Sequence, residues 1–299
     1  MILVAGATGA LGSEIVQRLL QRGQKVRALV RHTSDPAKVE TLQHAGAEIA
    51  RGDLKQRDTL DAACKGARVV ISTVSMIVTG REDDSFAATD SAGTRQLIDA
   101  ARAAGAERFI FVSVDTSRVP DSPLMAAKRE VEEYLKRSGL TYTILHPSAF
   151  MEVWLGPMLF ADPAAGTAKV YGEGTHKIRF VATADVAELA VQCVDNPAAI
   201  NAVIPFGGPE PVSQRDAVKL FEEEFRKPFS VTEIPEQALE AQWKGSDNPM
   251  EKTFASLMLG VARGLDAGIE PPFEKFPMQL TTPREFVRRM ARHNPLRGE

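Results

Sequence analysis

Three glycines near the start of the chain, Gly6, Gly9 and Gly12 in "ILVAGATGALGSEIV", are spaced G-x-x-G-x-x-G. They follow a short apolar run and precede a segment of helical periodicity, the context that a phosphate-binding turn requires. The first glycine permits a tight turn, the middle one lets backbone approach a pyrophosphate, and the third allows close helix–strand packing. The N-terminus of the following helix offers unbonded N–H groups to an anion. Gly6, Ala7, Thr8, Gly9, Leu11 and Gly12 are therefore expected to hold the pyrophosphate of a dinucleotide.

Arg31 closes the second apolar run, in "ALVRHTSDP". Sites preferring NAD carry an acid here for the ribose hydroxyls. A guanidinium instead grips a 2′-phosphate through two hydrogen bonds. NADP(H) is thus expected ahead of NAD(H), with Lys38 as a candidate assistant. In the alternative, Asp35 curls back to a ribose. Asp53 and Leu54, in "ARGDLKQ", are placed to meet adenine, and Thr73, Val74 and Ser75 to run beside the cofactor riboses.

Two further side chains are candidates for catalysis. In "SPLMAAKREVEEYL" the apolar stripe Leu124, Ala127, Val131, Leu135 also carries Lys128, whereas Glu130, Glu132 and Glu133 lie mostly off it. That placement points the ammonium into the cleft, toward a cofactor ribose or a substrate oxygen; the alternative is a surface pair with Glu132 one turn on. His146 ends the sixth apolar run, before Pro147. Imidazole exchanges protons near neutrality, so it suits proton donation; a structural hydrogen bond is the alternative. Beyond it, "SAFMEVWLGPM" supplies Phe150, Met151 and Trp154, with Met158 close by, as an expected lining for an aromatic-substrate pocket, or as packing between lobes.

These residues must be positioned by alternating elements. Apolar runs at 2–5, 26–30, 47–50, 69–73, 109–114 and 142–145 alternate with helical periodicity at 11–21, 36–45, 59–64, 85–104 and 125–137. Apolar runs separated by helices predict a parallel sheet covered on both faces. Right-handed crossovers make it doubly wound. The fold class is α/β: a Rossmann-type domain at 1–150 and a smaller mixed α/β lid or substrate lobe at 151–299, with some segments returning to the main sheet. In that second half the expected helices are 185–194, 214–225, 236–242, 251–263 and 284–292, and a strand at 202–206 is expected to rejoin the sheet. Asp185 and Thr183 are candidate helix caps without chemistry.

A net charge of −3 on 299 residues gives no general case for nucleic acid. The basic "REFVRRMAR" segment (Arg284, Arg288, Arg289 and Arg292, with Arg297 close by) reads as a solvated face. The two cysteines, Cys64 and Cys193, lie far apart in the chain, so neither a zinc site nor a disulfide scaffold is expected. No apolar run approaches a membrane span. With a strand already at residue 2 no signal peptide is expected, and the compartment is expected to be cytoplasmic. The expected partner is a small-molecule substrate, without nucleic acid or membrane and without metal; a homodimer is the assembly to test for.

In combination, "GATGALG", "ALVR", "GDL", "DSAGTRQLIDAARAAGAERFIFVS", "LTYTILHPSAFME" and "VATADVAELAV" resemble the NmrA-like branch of the atypical short-chain dehydrogenases/reductases. The wider superfamily works with a Tyr-x-x-x-Lys pair and an upstream Ser or Thr. Here Lys128 matches the lysine, but Leu124 stands where the tyrosine would be. Val114 occupies the Ser/Thr position, with Ser113 one residue early. None of Tyr134, Tyr142 and Tyr171 has a lysine four residues on. The resemblance implies hydride transfer from NADPH to a planar, electron-poor acceptor such as a quinone or enone, which needs little acid help. The alternative it implies is a non-catalytic NADP(H)-binding redox sensor.

Overall fold

The computed structural model describes residues 1–78, 84–264, 269–272 and 274–293. Short runs with no polar face make the central strands: Ile2–Ala5 (β1) and Val69–Ser72 (β4) are buried at every position. Between them lie α1 (Ala10–Gln21), β2 (Val26–Val30), α2 (Pro36–His44), β3 (Glu48–Arg51) and α3 (Arg57–Cys64). After β4 come α4 (Thr94–Ala103), β5 (Arg108–Val112), α5 (Pro123–Arg137) and β6 (Thr141–Pro147). The second half holds α6 (Met151–Trp154), β7 (Ala161–Asp162), β8 (Thr167–Tyr171), β9 (Lys177–Ile178), α7 (Thr183–Gln192), β10 (Ala202–Phe206) and β11 (Val212–Ser213). It ends with α8 (Gln214–Phe225), β12 (Ser230–Ile234), α9 (Glu236–Gly245), α10 (Pro249–Arg263) and α11 (Pro283–Arg292).

The main sheet has the order β10-β6-β5-β4-β1-β2-β3, and every pairing in it is parallel. The order reverses between β1 and β4. In open α/β sheets ligands bind at such a reversal, outside the carboxyl ends of the strands. One face is covered by Ile15, Val16 and Leu19 of α1 with Val186, Leu189 and Ala190 of α7. The other is covered by Leu60 and Cys64 of α3, Leu97 and Ile98 of α4, and Val131 and Leu135 of α5. The sheet is therefore doubly wound, as expected.

Residues 202–206 rejoin the sheet beside β6, as the sequence predicts. Together with α7 they build the first core, so the main sheet draws on residues well past 150. A separate core gathers Met151, Phe160, Val170, Phe180, Phe221 and Leu259. Phe221 sits at its centre, with the rings of Phe160, Phe225 and Phe229 5.8–5.9 Å away. Burying each such ring contributes about 1.5–3 kcal/mol. The small sheet β12-β8-β7 flanks this core; its β8–β12 pairing was not expected from sequence.

Two local expectations need correction. Residues 85–104 are not one α-helix: Phe86–Gly93 is π-helical and only then gives way to α4. Thr183 does not cap α7, whose N-cap is Ala182; the Thr183 N–H donates instead to the Glu152 carboxylate. The arginine face of α11 is solvated, as the sequence predicts: Arg288, Arg289 and Arg292 are exposed, and Arg284 and Arg288 pair with Glu224 of α8 at the surface. Arg297 lies outside the described residues. Among the described residues no helix is long and apolar enough to cross a membrane.

Candidate active site

The glycine turn joins the carboxyl end of β1 to α1. Gly6 takes φ +81°, a conformation that side chains disfavour. A Cβ there would also fall 2.6 Å from Thr73 Oγ1, and one on Gly12 would overlap the Gly6 carbonyl. The Gly9 N–H donates to the Gly6 carbonyl at 3.0 Å and closes the turn. Helix α1 starts with no side-chain cap and no acid in its first turn. Its N-terminal N–H groups and positive dipole end are thus left to a ligand. The cradle fits a pyrophosphate. Thr8 and Leu11 are half-buried on this turn, and Ala7 is wholly buried under it.

At the end of β2, Arg31 Nη1 lies 3.5 Å from Asp84 Oδ2, and Lys55 Nζ lies 3.9 Å from Asp84 Oδ1. Both cations therefore face the buried Asp84 carboxylate, at the strand end where a 2′-phosphate is expected. Lys38 stands exposed on α2, and Asp35 caps that helix by accepting from the Ala37 N–H. Asp53 accepts from the Lys55 N–H, while Leu54 is buried in the core beside Gly93. Thr73 follows β4 and donates both its N–H and its hydroxyl to the Ala5 carbonyl.

Lys128 is where the apolar stripe predicts it, on the inward face of α5, only 5% exposed. Its ammonium donates to the carbonyl of Val74, two residues past β4, at 3.3 Å and to that of Val112, the last residue of β5, at 3.4 Å. It sits 4.8 Å from the centre of the Phe111 ring and 3.8 Å from Asp90 Oδ1. Burial pushes its pKa down, against the opposing charges of Asp90 and Glu132. Burial likewise pushes the Asp90 carboxyl up, against Lys128 and the Met76 N–H that it accepts.

Glu132 is not a surface partner of Lys128. It is buried, and its Oε1 accepts from the Ser113 hydroxyl at 2.5 Å and meets His146 Nε2 at 2.8 Å. His146 lies on β6 and Ser113 follows β5, so this second cluster also sits at the carboxyl ends of the strands. Leu124, in the tyrosine position, is buried in an apolar cluster with Met76 and Met125, and Val114 packs against that cluster. Of the expected pocket residues, Met151 is wholly buried in the second core. Phe150 is half-buried against the first core, and Trp154 meets the Tyr171 ring edge-on at 6.5 Å.

Sequence reading missed Asp84, Asp90 and Glu132. Only Glu132 left a usable signal, its position one helical turn after Lys128. Among the described residues no cluster of His, Cys, Asp or Glu could hold a metal ion.

The NmrA-like family model matches residues 1–286. The chain belongs to the NmrA-like family. The isoflavone reductase homolog IRL of Zea mays is 31% identical over 285 residues, covering 90% of this chain and 88% of the relative. The photosystem II assembly factor Ycf39 of Cyanophora paradoxa is 35% identical over 242 residues, 80% of this chain and 73% of the relative. The NADPH-dependent quinone oxidoreductase QOR2 of Escherichia coli, solved with NADPH, shares the fold at a TM-score of 0.78. It is 22% identical, with 97% of this chain and 99% of that chain covered.

Proposed function

We propose that this NmrA-like protein is an NADPH-dependent reductase acting on a planar, electron-poor acceptor such as a quinone or enone. The observation that carries the reading is the uncapped, acid-free N-terminus of α1 behind the Gly6–Gly12 cradle, with Arg31 and Lys55 gathered around Asp84 one strand away. In this reading Gly6, Ala7, Thr8, Gly9, Leu11 and Gly12 hold the pyrophosphate and Arg31 the 2′-phosphate. Asp53 and Leu54 border the adenine, and Thr73, Val74 and Ser75 the riboses. A bound dihydronicotinamide supplies the hydride. Lys128 ties together the strand ends beneath the reacting centre and gives it a positive field, and His146 is available to exchange a proton. Phe150 and Trp154 offer half-buried aromatic surface to the acceptor, with Met151 packed behind them. The names of the maize and bacterial proteins support a reductase. The domain division, a homodimer and a cytoplasmic location belong to the same reading; Cys64 and Cys193 are both free and buried, which suits a reducing compartment.

One observation favours a second reading, a non-catalytic NADP(H)-dependent regulatory protein. Leu124 is buried where the superfamily has its proton-donating tyrosine, and one relative is named as an assembly factor. NADPH consumption across quinones, dyes, enones and ketones separates the two. A reductase oxidises NADPH with some acceptor, more slowly in Arg31→Ala and Lys128→Ala. Saturable NADPH binding without oxidation by any acceptor overturns the reductase reading in favour of the regulator.

A further inference from the structure

Hydride addition to a quinone leaves a negative oxygen that must gain a proton, and the usual tyrosine is absent. Lys128 is a poor source. Its ammonium is buried and directed at two carbonyls and Asp90. His146 is different. Its side chain keeps 13% of its surface exposed at the carboxyl end of β6. Nε2 is committed to Glu132, and Nδ1 has no hydrogen-bond partner among the described residues.

We propose that Glu132 is the positioning residue of a proton-delivery pair, holding His146 so that Nδ1 hands the proton to the acceptor. This rests on the reductase reading. A carboxylate only accepts, so the imidazole nitrogen that meets Glu132 must carry hydrogen. The Ser113 hydroxyl donates to the same oxygen, and the Ser113 N–H donates at 2.8 Å to the carbonyl of Leu145, the residue before His146. Glu132 is thus fixed between β5 and β6, and the ring is fixed through Glu132. With Nε2–H engaged, the second proton of the imidazolium resides on Nδ1, the only ring nitrogen free to release it.

The C4–H bond of the dihydronicotinamide breaks, and its electron pair forms a new bond to hydrogen on the acceptor. The nicotinamide is oxidised and the quinone reduced to the hydroquinone anion. The Nδ1–H bond then breaks as the O–H bond forms. The neutral imidazole takes its next proton from water at its exposed edge. The proton transfer leaves the pair with the charge of Glu132 alone, and buried Lys128 one helical turn away offsets it.

A triarylmethane cation tests this directly, because hydride alone converts it to a neutral product. Turnover of a naphthoquinone and of such a dye is measured in wild type, Glu132→Gln and His146→Gln. Because a quinone needs little acid help, the quinone-to-dye ratio of kcat is expected to fall about tenfold in each variant, below the ordinary scale of general acid catalysis. The dye also reports whether each variant is folded. A ratio unchanged from wild type overturns the proposal while leaving the reductase reading intact. Wild type inactive on both acceptors overturns both. A second readout needs no turnover: ¹⁵N spectra of the cofactor-free protein are expected to show neutral His146 as the Nε2–H tautomer, with the tautomer balance altered in Glu132→Gln. The Nδ1–H tautomer in wild type overturns the proposal.

Discussion

The ammonium of Lys128 lies 3.8 Å from the carboxylate of Asp90, and both side chains are almost entirely withdrawn from water. Each disfavours its own charge through burial, and each is the largest favourable charge on the other. Removing one partner strands the second. Asp90→Leu is expected to cost about 3–5 kcal/mol of stability, as for other broken buried pairs. Asp90→Leu combined with Lys128→Met is expected to cost less than the sum of the singles. Denaturant unfolding of the three variants checks this; simple additivity contradicts it.

Arg31 is expected to read the 2′-phosphate. Arg31→Ala loses charge-assisted bonds worth about 1.5–3 kcal/mol each, so NADPH affinity falls at least tenfold. NADH affinity changes far less. Fluorescence titration with both nucleotides gives the answer, and an equal loss for both would remove Arg31 from the phosphate site.

Asp90 and Glu132 show where the sequence stopped being readable. The strands and helices of the first half are legible to within a few residues because runs buried on both faces and a 3.6-residue stripe leave strong patterns. Lys128 is legible for the same reason, since it interrupts an apolar stripe. Asp90 is not, because it lies in the π-helical run Phe86–Gly93. There the turn is wider than in an α-helix, so an α-helical stripe assigns the wrong face. Glu132 resembles a solvated glutamate until β6 brings His146, 14 residues later, against it. The β8–β12 pairing is equally hidden, as its partners are about 60 residues apart and β12 is largely exposed. Arg31 is legible as a cation at a strand end, but not its contact with Asp84.

The glycines of the turn are expected to differ in tolerance. Gly12→Ala drives a methyl group into the Gly6 carbonyl, and no rotamer relieves a backbone clash. At Gly9 the added Cβ would lie 3.2 Å from the same oxygen, a contact that a small backbone shift relieves. NADPH affinity and melting temperature are both expected to fall more in Gly12→Ala than in Gly9→Ala. The reverse order would contradict this account of the cradle.

Acid stability carries a signature of the α1–α7 interface. Partial burial pushes the Glu188 carboxyl up, but hydrogen bonds from Gln192 and Arg22 and the charges of Arg22 and Arg18 outweigh it and hold it below the ordinary 4.5. The folded state therefore binds this proton less readily than the unfolded chain. The stabilisation is present above about pH 4.5 and is lost as pH falls through the folded value. Glu188→Gln is expected to flatten that part of the melting-temperature profile. An unchanged acid slope would remove Glu188 from it.

The central claim is that the cleft above β1 and β4 holds NADPH for use. An anaerobic single turnover tests it most directly: NADPH is bound in equal amount to protein, a naphthoquinone is added, and loss of dihydronicotinamide absorbance is followed. The expected result is complete oxidation, far faster than for free NADPH with the same quinone. Bound NADPH that persists unchanged would contradict reductase function for this acceptor class and leave the protein a reader of the cofactor.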